Sequence, residues 1–327
     1  MMSLDLVILI VLFGLIFDYT NGFHDAANVV STVIATKVLR PLVAIILAAV
    51  LNVVGATQIS GVAETIATGL VNAVDATQVT VLCALIGAIF WNILTWYFGI
   101  PSSSSYALIG GLVGASWMHE GGGSIIWSGV TFKVLIPMVI SPFVGFTFAF
   151  LLLKSVQLCI AKEMFKHREK VFAKLQIFSA SLVALSHGLN DAQKSMGVIT
   201  LGLFAGGVIS SPHIPLWVIL SCALVMGLGT ASGGLRIIKT VGFEITHLRP
   251  LQGFAAETSA SFVILIASFL GMPISSTHMI VGSVTGVGVA KRSGIVQWGI
   301  GKRMVMAWIL TLPGAGIVAA LTYQLLT

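Results

Sequence analysis

The stretch NGFHDAANVV, Asn21–Val30, places Asn21, His24, Asp25 and Asn28 immediately downstream of LDLVILIVLFGLIF (Leu4–Phe17), a run apolar enough to lie in lipid. SHGLNDAQKS, Ser186–Ser195, has the same character in the second half of the chain. Polar groups beside membrane-length apolar runs cost free energy unless they have a task, so the two stretches decide how the rest is read.

Composition fixes the solvent. Of 327 residues, 57% are hydrophobic and 9% charged, with 35 glycines, and the mean hydropathy is +1.03. These values lie outside the range of water-soluble domains and indicate a polytopic membrane protein. Apolar blocks fall at 4–20, 24–36, 41–60, 79–98, 105–118, 133–153, 175–187, 195–210, 214–231, 253–271, 279–290 and 304–326. A span needs about 20 residues, and several blocks are shorter. The expectation is an all-α protein of roughly 10–12 membrane segments, some of them broken or re-entrant. The blocks do not alternate polar and apolar, which argues against a barrel. The opening MMSLDLV carries no basic region and no small-residue cleavage site follows, so the first segment is expected to stay in the mature chain. Cys83, Cys159 and Cys222 lack metal-ligand spacing and read as small hydrophobes. The net charge of +6 comes from residues between spans. Positive-inside topology explains it without a nucleic-acid partner.

The chain divides into similar halves around a basic stretch, Lys154–Lys174, giving units 1–153 and 175–327. NGFHDAAN matches HGLNDAQK through Gly22/Gly188, Asp25/Asp191 and Ala26/Ala192. GIPSSSSYALIGGLVG matches GMPISSTHMIVGSVTG through Gly99/Gly271, Pro101/Pro273, Ser103/Ser275, Ser104/Ser276, Gly110/Gly282 and Gly114/Gly286. Loop charges reverse between the halves. Lys37 and Arg40 correspond to GGVISSPHIP, which has neither Lys nor Arg, Glu64 and Asp75 to Arg236, Lys239 and Arg249, and HEGGGS to KRSG. Under the positive-inside rule the repeats are inverted, with 154–174 cytoplasmic and 60–78 and 119–124 outside.

Asp25 and Asp191 are the leading functional candidates, with surface loops as the bland alternative. An unwound helix centre there would offer carbonyls to a cation, joined by Asn21, Asn28, Asn190 and Gln193. PSSSS (Pro101–Ser105) and PISST (Pro273–Thr277) read as helix N-termini. Ordinary capping accounts for one such motif. Two of them in inverted repeats would converge, and their hydroxyls (Ser102, Ser103, Ser104, Ser105, Ser275, Ser276, Thr277), free N–H groups and helix dipoles would hold an anion without Lys or Arg. No Gly-x-Ser-x-Gly elbow or His-Glu-x-x-His pair supports an enzyme, and duplication around central charges fits a transporter better than a channel.

DYTNGFHDAANVVSTVIATKVL, WNILTWYFGIPSSSSYALIGGLVGA, ALSHGLNDAQKSMGVI and MPISSTHMIVGSVTGVGVAKR resemble the duplicated signatures of the inorganic phosphate transporter (PiT) family, the phosphate permeases. The resemblance covers nearly the whole chain. It implies cation-coupled phosphate uptake across the cytoplasmic membrane, an inverted-repeat fold and a homodimer. By position it places Asp25 and Asp191 at the centre and the serine motifs around the anion. Glu257, in GFAAETSAS, falls where members carry an acidic residue tied to coupling. The central loop is shorter than in the larger members.

Phosphate near neutral pH retains a proton that it can donate to a carboxylate, whereas sulfate only accepts. Two aspartates therefore favour phosphate, with a sulfate permease as the rival. Lys194 replaces Asn28 in the alignment and is placed either at the phosphate or at a cavity mouth. His24, His187 and His278 flank the motifs, while Glu64, Asp75, His119 and Glu120 read as solvated loop ends. No cofactor is expected beyond a coupling cation. His24 and the TWYFGIP run most resemble the proton-coupled branch, so H+ is favoured over Na+.

Overall fold

The computed structural model describes residues 4–160, 168–291 and 296–327. Thirteen α-helices occur among them, with no strand beyond one isolated bridge. The first half contains α1 (Leu4–Ala35), α2 (Pro41–Ala56), α3 (Gly61–Thr68), α4 (Gln78–Tyr97), α5 (Ser104–Glu120), α6 (Trp127–Gly129) and α7 (Ile136–Ile160). The second contains α8 (Arg168–Ala205), α9 (Leu216–Ser232), α10 (Leu235–Lys239), α11 (Pro250–Phe269), α12 (Ser276–Lys291) and α13 (Trp298–Leu326). Among the described residues six helices are long and apolar enough to cross a bilayer, or eight if two bent pairs count as single spans. The bends are 68° between α2 and α3 and 64° between α9 and the Arg236–Glu244 segment. They occupy matching places in the two halves, as broken segments should. The protein is an all-α polytopic membrane protein.

Two expectations need correction. The polar motifs do not unwind their helices: α1 and α8 run uninterrupted through them, merging blocks 4–20 with 24–36 and 175–187 with 195–210. The reason is spacing. Asn21, Asp25, Asn28 and Thr32 fall on one helical face, as do His187, Asp191 and Lys194, so a continuous helix can turn every costly group inward. The 154–174 stretch is also helical wherever it is described. α7 extends to Ile160 and α8 starts at Arg168, because Lys, Glu, Gln, Leu and Ala are good helix formers. Residues 161–167 lie outside the described residues.

Helix partners are exchanged between the halves. α1 packs on α9 and α8 on α2; α5 packs on α13 and α12 on α7. Motif glycines sit at close approaches between these helices. A Cβ on Gly22 would lie 2.6 Å from the Met226 carbonyl oxygen, and one on Gly188 would lie 2.6 Å from Asn52 Cα. Gly99 and Gly271, each at φ 65°, end α4 and α11 in the left-handed conformation that glycine tolerates and turn the chain into the serine motifs. The apolar core is split. One cluster holds Ala27, Val30 and Val33 with Val183, Ala184 and Ala260, and another holds Ile10 and Phe17 with Leu85 and Val198. The polar runs of α1 and α8 lie between these clusters.

The connections after α3 and after α5 meet. Val71 and Ile125 form the bridge, and Asn72 N–H donates to the Ser124 carbonyl at 2.8 Å.

Candidate functional site

α1 and α8 bring their stripes together, and the starts of α5 and α12 close the cluster. Asp25, His187 and Asp191 each place a ligand atom within 4.8 Å of the others, all buried. A half-and-half exchange of contacts builds the rest. Asn28 Nδ2 donates to Thr277 Oγ1 at 2.8 Å, and Thr277 Oγ1 lies 3.3 Å from Asp25 Oδ1. Lys194 Nζ donates to Ser105 Oγ, and Ser105 Oγ lies 3.5 Å from Asp191 Oδ1. Asn28 aligns with Lys194, Thr277 with Ser105 and Asp25 with Asp191, so one contact set occurs twice about a local pseudo-two-fold. Tyr106 and His278 also occupy equivalent positions, and their rings touch edge to face at 5.1 Å, which places them astride that axis.

The serine motifs divide their labour. Ser103 and Ser275 are helix caps, accepting from Tyr106 N–H at 3.3 Å and His278 N–H at 3.2 Å. Ser105, Ser276 and Thr277 reach the α1 and α8 stripes. Ser104 Oγ is buried without a partner. Ser102 donates to Thr95 Oγ1 at 2.8 Å and lies 3.4 Å from His24 Nε2. His24 Nδ1 in turn sits 2.9 Å from Asp25 Oδ1.

Asp191 forms an ion pair with Lys194, and His187 Nε2 stands 3.0 Å from its other oxygen. Lys194, fully buried, also donates to the Ile274 carbonyl at 2.8 Å. Behind this cluster Asn52 Oδ1 lies 3.3 Å from His187 Nδ1. The donor set of Asp25, His187 and Asp191 has the composition of a metal site, but the Lys194 ammonium already neutralises one carboxylate. That balance suits a proton or a monovalent cation better than a divalent ion.

Three other expected ligands, Gln193, Asn190 and Glu257, bond away from the cluster. Gln193 Oε1 caps the start of α3, accepting from Val62 N–H at 2.8 Å and Ala63 N–H at 3.1 Å. Asn190 Nδ2 donates to Ser268 Oγ at 2.8 Å and the Met272 carbonyl at 3.1 Å, tying α8 to the turn before α12. Asn21 is buried on the stripe with both amide atoms unpartnered. Glu257 is fully buried in its own cage, accepting from Thr32 Oγ1 at 2.6 Å, Gln176 Nε2 at 2.9 Å and Ser179 Oγ. It reaches the stripe through Thr32, which follows Asn28 by four residues. The repeat equivalents of this cage, Ile10, Phe13, Leu85 and Val198, are apolar and lie together, so the cage exists once.

Sequence reading missed Thr32, Gln176 and Ser179, although Thr32 continues the 21–25–28 spacing. It also missed Asp18, which is buried on α1 and accepts from Ser195 Oγ at 2.6 Å. A single polar residue inside an apolar block was the available signal for these. At one edge of the site a cavity of about 300 Å³ runs from Pro101 past Arg236, Lys239 and Arg303, so a basic mouth adjoins the first serine motif.

Residues 21–319 match the phosphate transporter family. Similar proteins described as probable low-affinity inorganic phosphate transporters occur in Mycobacterium tuberculosis strain H37Rv (47% identity, 99% of this chain and 78% of the relative) and Rhizobium meliloti (44%, 98% and 97%). Another is found in Bacillus subtilis (43%, 99% and 98%). The solved structure of a sodium-dependent phosphate transporter aligns at a TM-score of 0.92 with 25% identity, covering 99% of both chains. The duplicated motifs, the buried aspartate pair and these matches agree that the chain is a transporter, not an enzyme, and belongs to the phosphate transporter family.

Proposed function

We propose that the protein imports inorganic phosphate across the cytoplasmic membrane by cation symport, with alternating access to a single site framed by Asp25, Asp191, Ser104, Ser105, Ser276 and Thr277. The observation that carries this reading is the charge of the site. Two carboxylates and one ammonium leave it net negative, so a phosphate anion can join only with a compensating cation. Membrane energetics point the same way. Moving one negative charge inward against 100 mV costs about 2.3 kcal/mol, which co-transported cations offset.

The driving ion in this reading is the proton. His24 beside Asp25 and His187 beside Asp191 are titratable groups in contact with the carboxylates. Similarity to the sodium-dependent transporter supports sodium as the second reading, with Glu257 as the first ligand to examine. Phosphate is favoured over sulfate because it can donate to a carboxylate, and the relatives are described as phosphate transporters. Units 1–153 and 175–327 are inverted repeats, and exchanged helix partners together with matched bends support that arrangement. The 154–174 stretch faces the cytoplasm, and the protein is a homodimer as the family resemblance implies.

The test is uptake of radiolabelled phosphate into sodium-free proteoliposomes under an inward proton gradient. Accumulation that an uncoupler collapses supports proton symport. If phosphate accumulates only with a sodium gradient at fixed membrane potential, the proton assignment falls.

A further inference from the structure

Lys194 breaks the pseudo-symmetry of the site at one position. In the first half Asn28 donates to Thr277 beside Asp25, and in the second half Lys194 donates to Ser105 beside Asp191. All other members of the two triads match in type: carboxylate with carboxylate, hydroxyl with hydroxyl. The exchange is therefore a neutral amide for a permanent cation opposite equivalent hydroxyls, and Lys194 alone adds bonds to its carboxylate and to a backbone carbonyl. The ammonium uses its donors on the Asp191 carboxylate, Ser105 Oγ and the Ile274 carbonyl, three oxygens of the kinds that coordinate a small monovalent cation. On the Asn28 side no ammonium is present, and the side-chain oxygens of Asn28 and Asn21, the atoms a cation could take, are buried without partners. Buried polar atoms normally find partners, so these orphans mark a place where a visiting group completes the bonding.

We propose that the protein holds two pseudo-equivalent cation positions, that Lys194 permanently fills the one beside Asp191, and that only the one beside Asp25 exchanges its cation during transport. This rests on the symport reading above and sets how many cations each phosphate requires. Lys194 acts as a built-in counter-ion that lowers this requirement by one. A sequence with Asn in its place would have to import that charge each cycle.

The experiment compares phosphate binding by purified full-length wild type and Lys194→Asn as a function of sodium, with choline as the inert replacement. By mass action the slope of log affinity against log sodium concentration counts the sodium ions taken up with phosphate. The slope for Lys194→Asn is expected to exceed that of wild type by about one. In choline alone the variant should bind phosphate about 10- to 100-fold more weakly, the range expected for losing hydrogen bonds to a charged donor. Asp191→Asn/Lys194→Asn, which removes both charges together, should bind phosphate more weakly but with the wild-type slope, because no carboxylate remains there to anchor a sodium ion. An unchanged slope in the single variant, or a steepened slope in the double variant, overturns the proposal. A single variant that folds in neither sodium nor choline also counts against it, since sodium should restore the charge that the ammonium supplied. The wild-type slope reads the driving ion separately: near zero for protons and about one for sodium. Wild type that binds no phosphate refutes the transport reading itself.

Discussion

Gly188→Ala probes how the motif positions the site. A Cβ there would stand 2.6 Å from Asn52 Cα and 2.7 Å from the Asn52 carbonyl carbon, where ordinary contact begins at 3.4 Å. α2 and α8 must then separate by at least about 0.8 Å, against backbone that no rotamer can clear. Overpacking of this kind costs about 3 kcal/mol at the upper end of its range. Alanine returns about 1 kcal/mol in helix propensity, so the expected net loss is about 2 kcal/mol. The displaced residue is Asn52, whose side chain meets His187, and His187 faces Asp191 at 3.0 Å. Transport should therefore fall together with stability. The assay pairs thermal denaturation in detergent with phosphate uptake, using Gly301→Ala as control because nothing lies within 4 Å of a Cβ at that position of α13. Gly301→Ala should be neutral or slightly stabilised. If Gly188→Ala matches it in melting temperature and uptake, close packing is not why the motif carries glycine.

Asp191→Asn leaves the fully buried Lys194 without its counter-ion, so it should cost about 3–5 kcal/mol and reduce yield, whereas Asp25→Asn should insert normally. Size-exclusion profiles of the expressed variants distinguish the two. Ser104→Ala should weaken phosphate affinity by about two- to tenfold at little cost in stability, because its hydroxyl has no partner to lose, while Ser103→Ala should lose about 1 kcal/mol of stability with its cap. Melting temperature and phosphate binding, measured on both variants, check this division. In a background lacking the three native cysteines, Gly121→Cys should react with an impermeant thiol reagent on intact cells and Lys170→Cys should not; the reverse pattern would invert the topology.

Much of this architecture was legible because membrane energetics punish stray polarity. Asp25 and Asp191 stand out in apolar surroundings, and Pro followed by hydroxyls marks the starts of α5 and α12, where Ser105 and Thr277 lie against the aspartates. Helix continuity was harder to read. Asn and Gly within a motif suggest unwinding, yet the 21–25–28–32 spacing lets a regular helix bury the same residues. Gln193 shows a different limit. Nothing local distinguishes an amide that binds a cation from one that caps α3, since the cap lies more than a hundred residues away in sequence. The Glu257 cage draws on α1, α8 and α11, and only the folded chain brings Thr32, Gln176 and Ser179 to one carboxylate.

In the proposed mechanism phosphate crosses the membrane together with a cation through the Asp25–Asp191 site. Proteoliposomes holding wild type or Asp25→Asn, given labelled phosphate or labelled sulfate under an inward proton gradient, test that in one measurement. Wild type should concentrate phosphate above its external level and leave sulfate near equilibrium, and Asp25→Asn should concentrate neither. Equal accumulation of sulfate, or undiminished phosphate accumulation by Asp25→Asn, would contradict it.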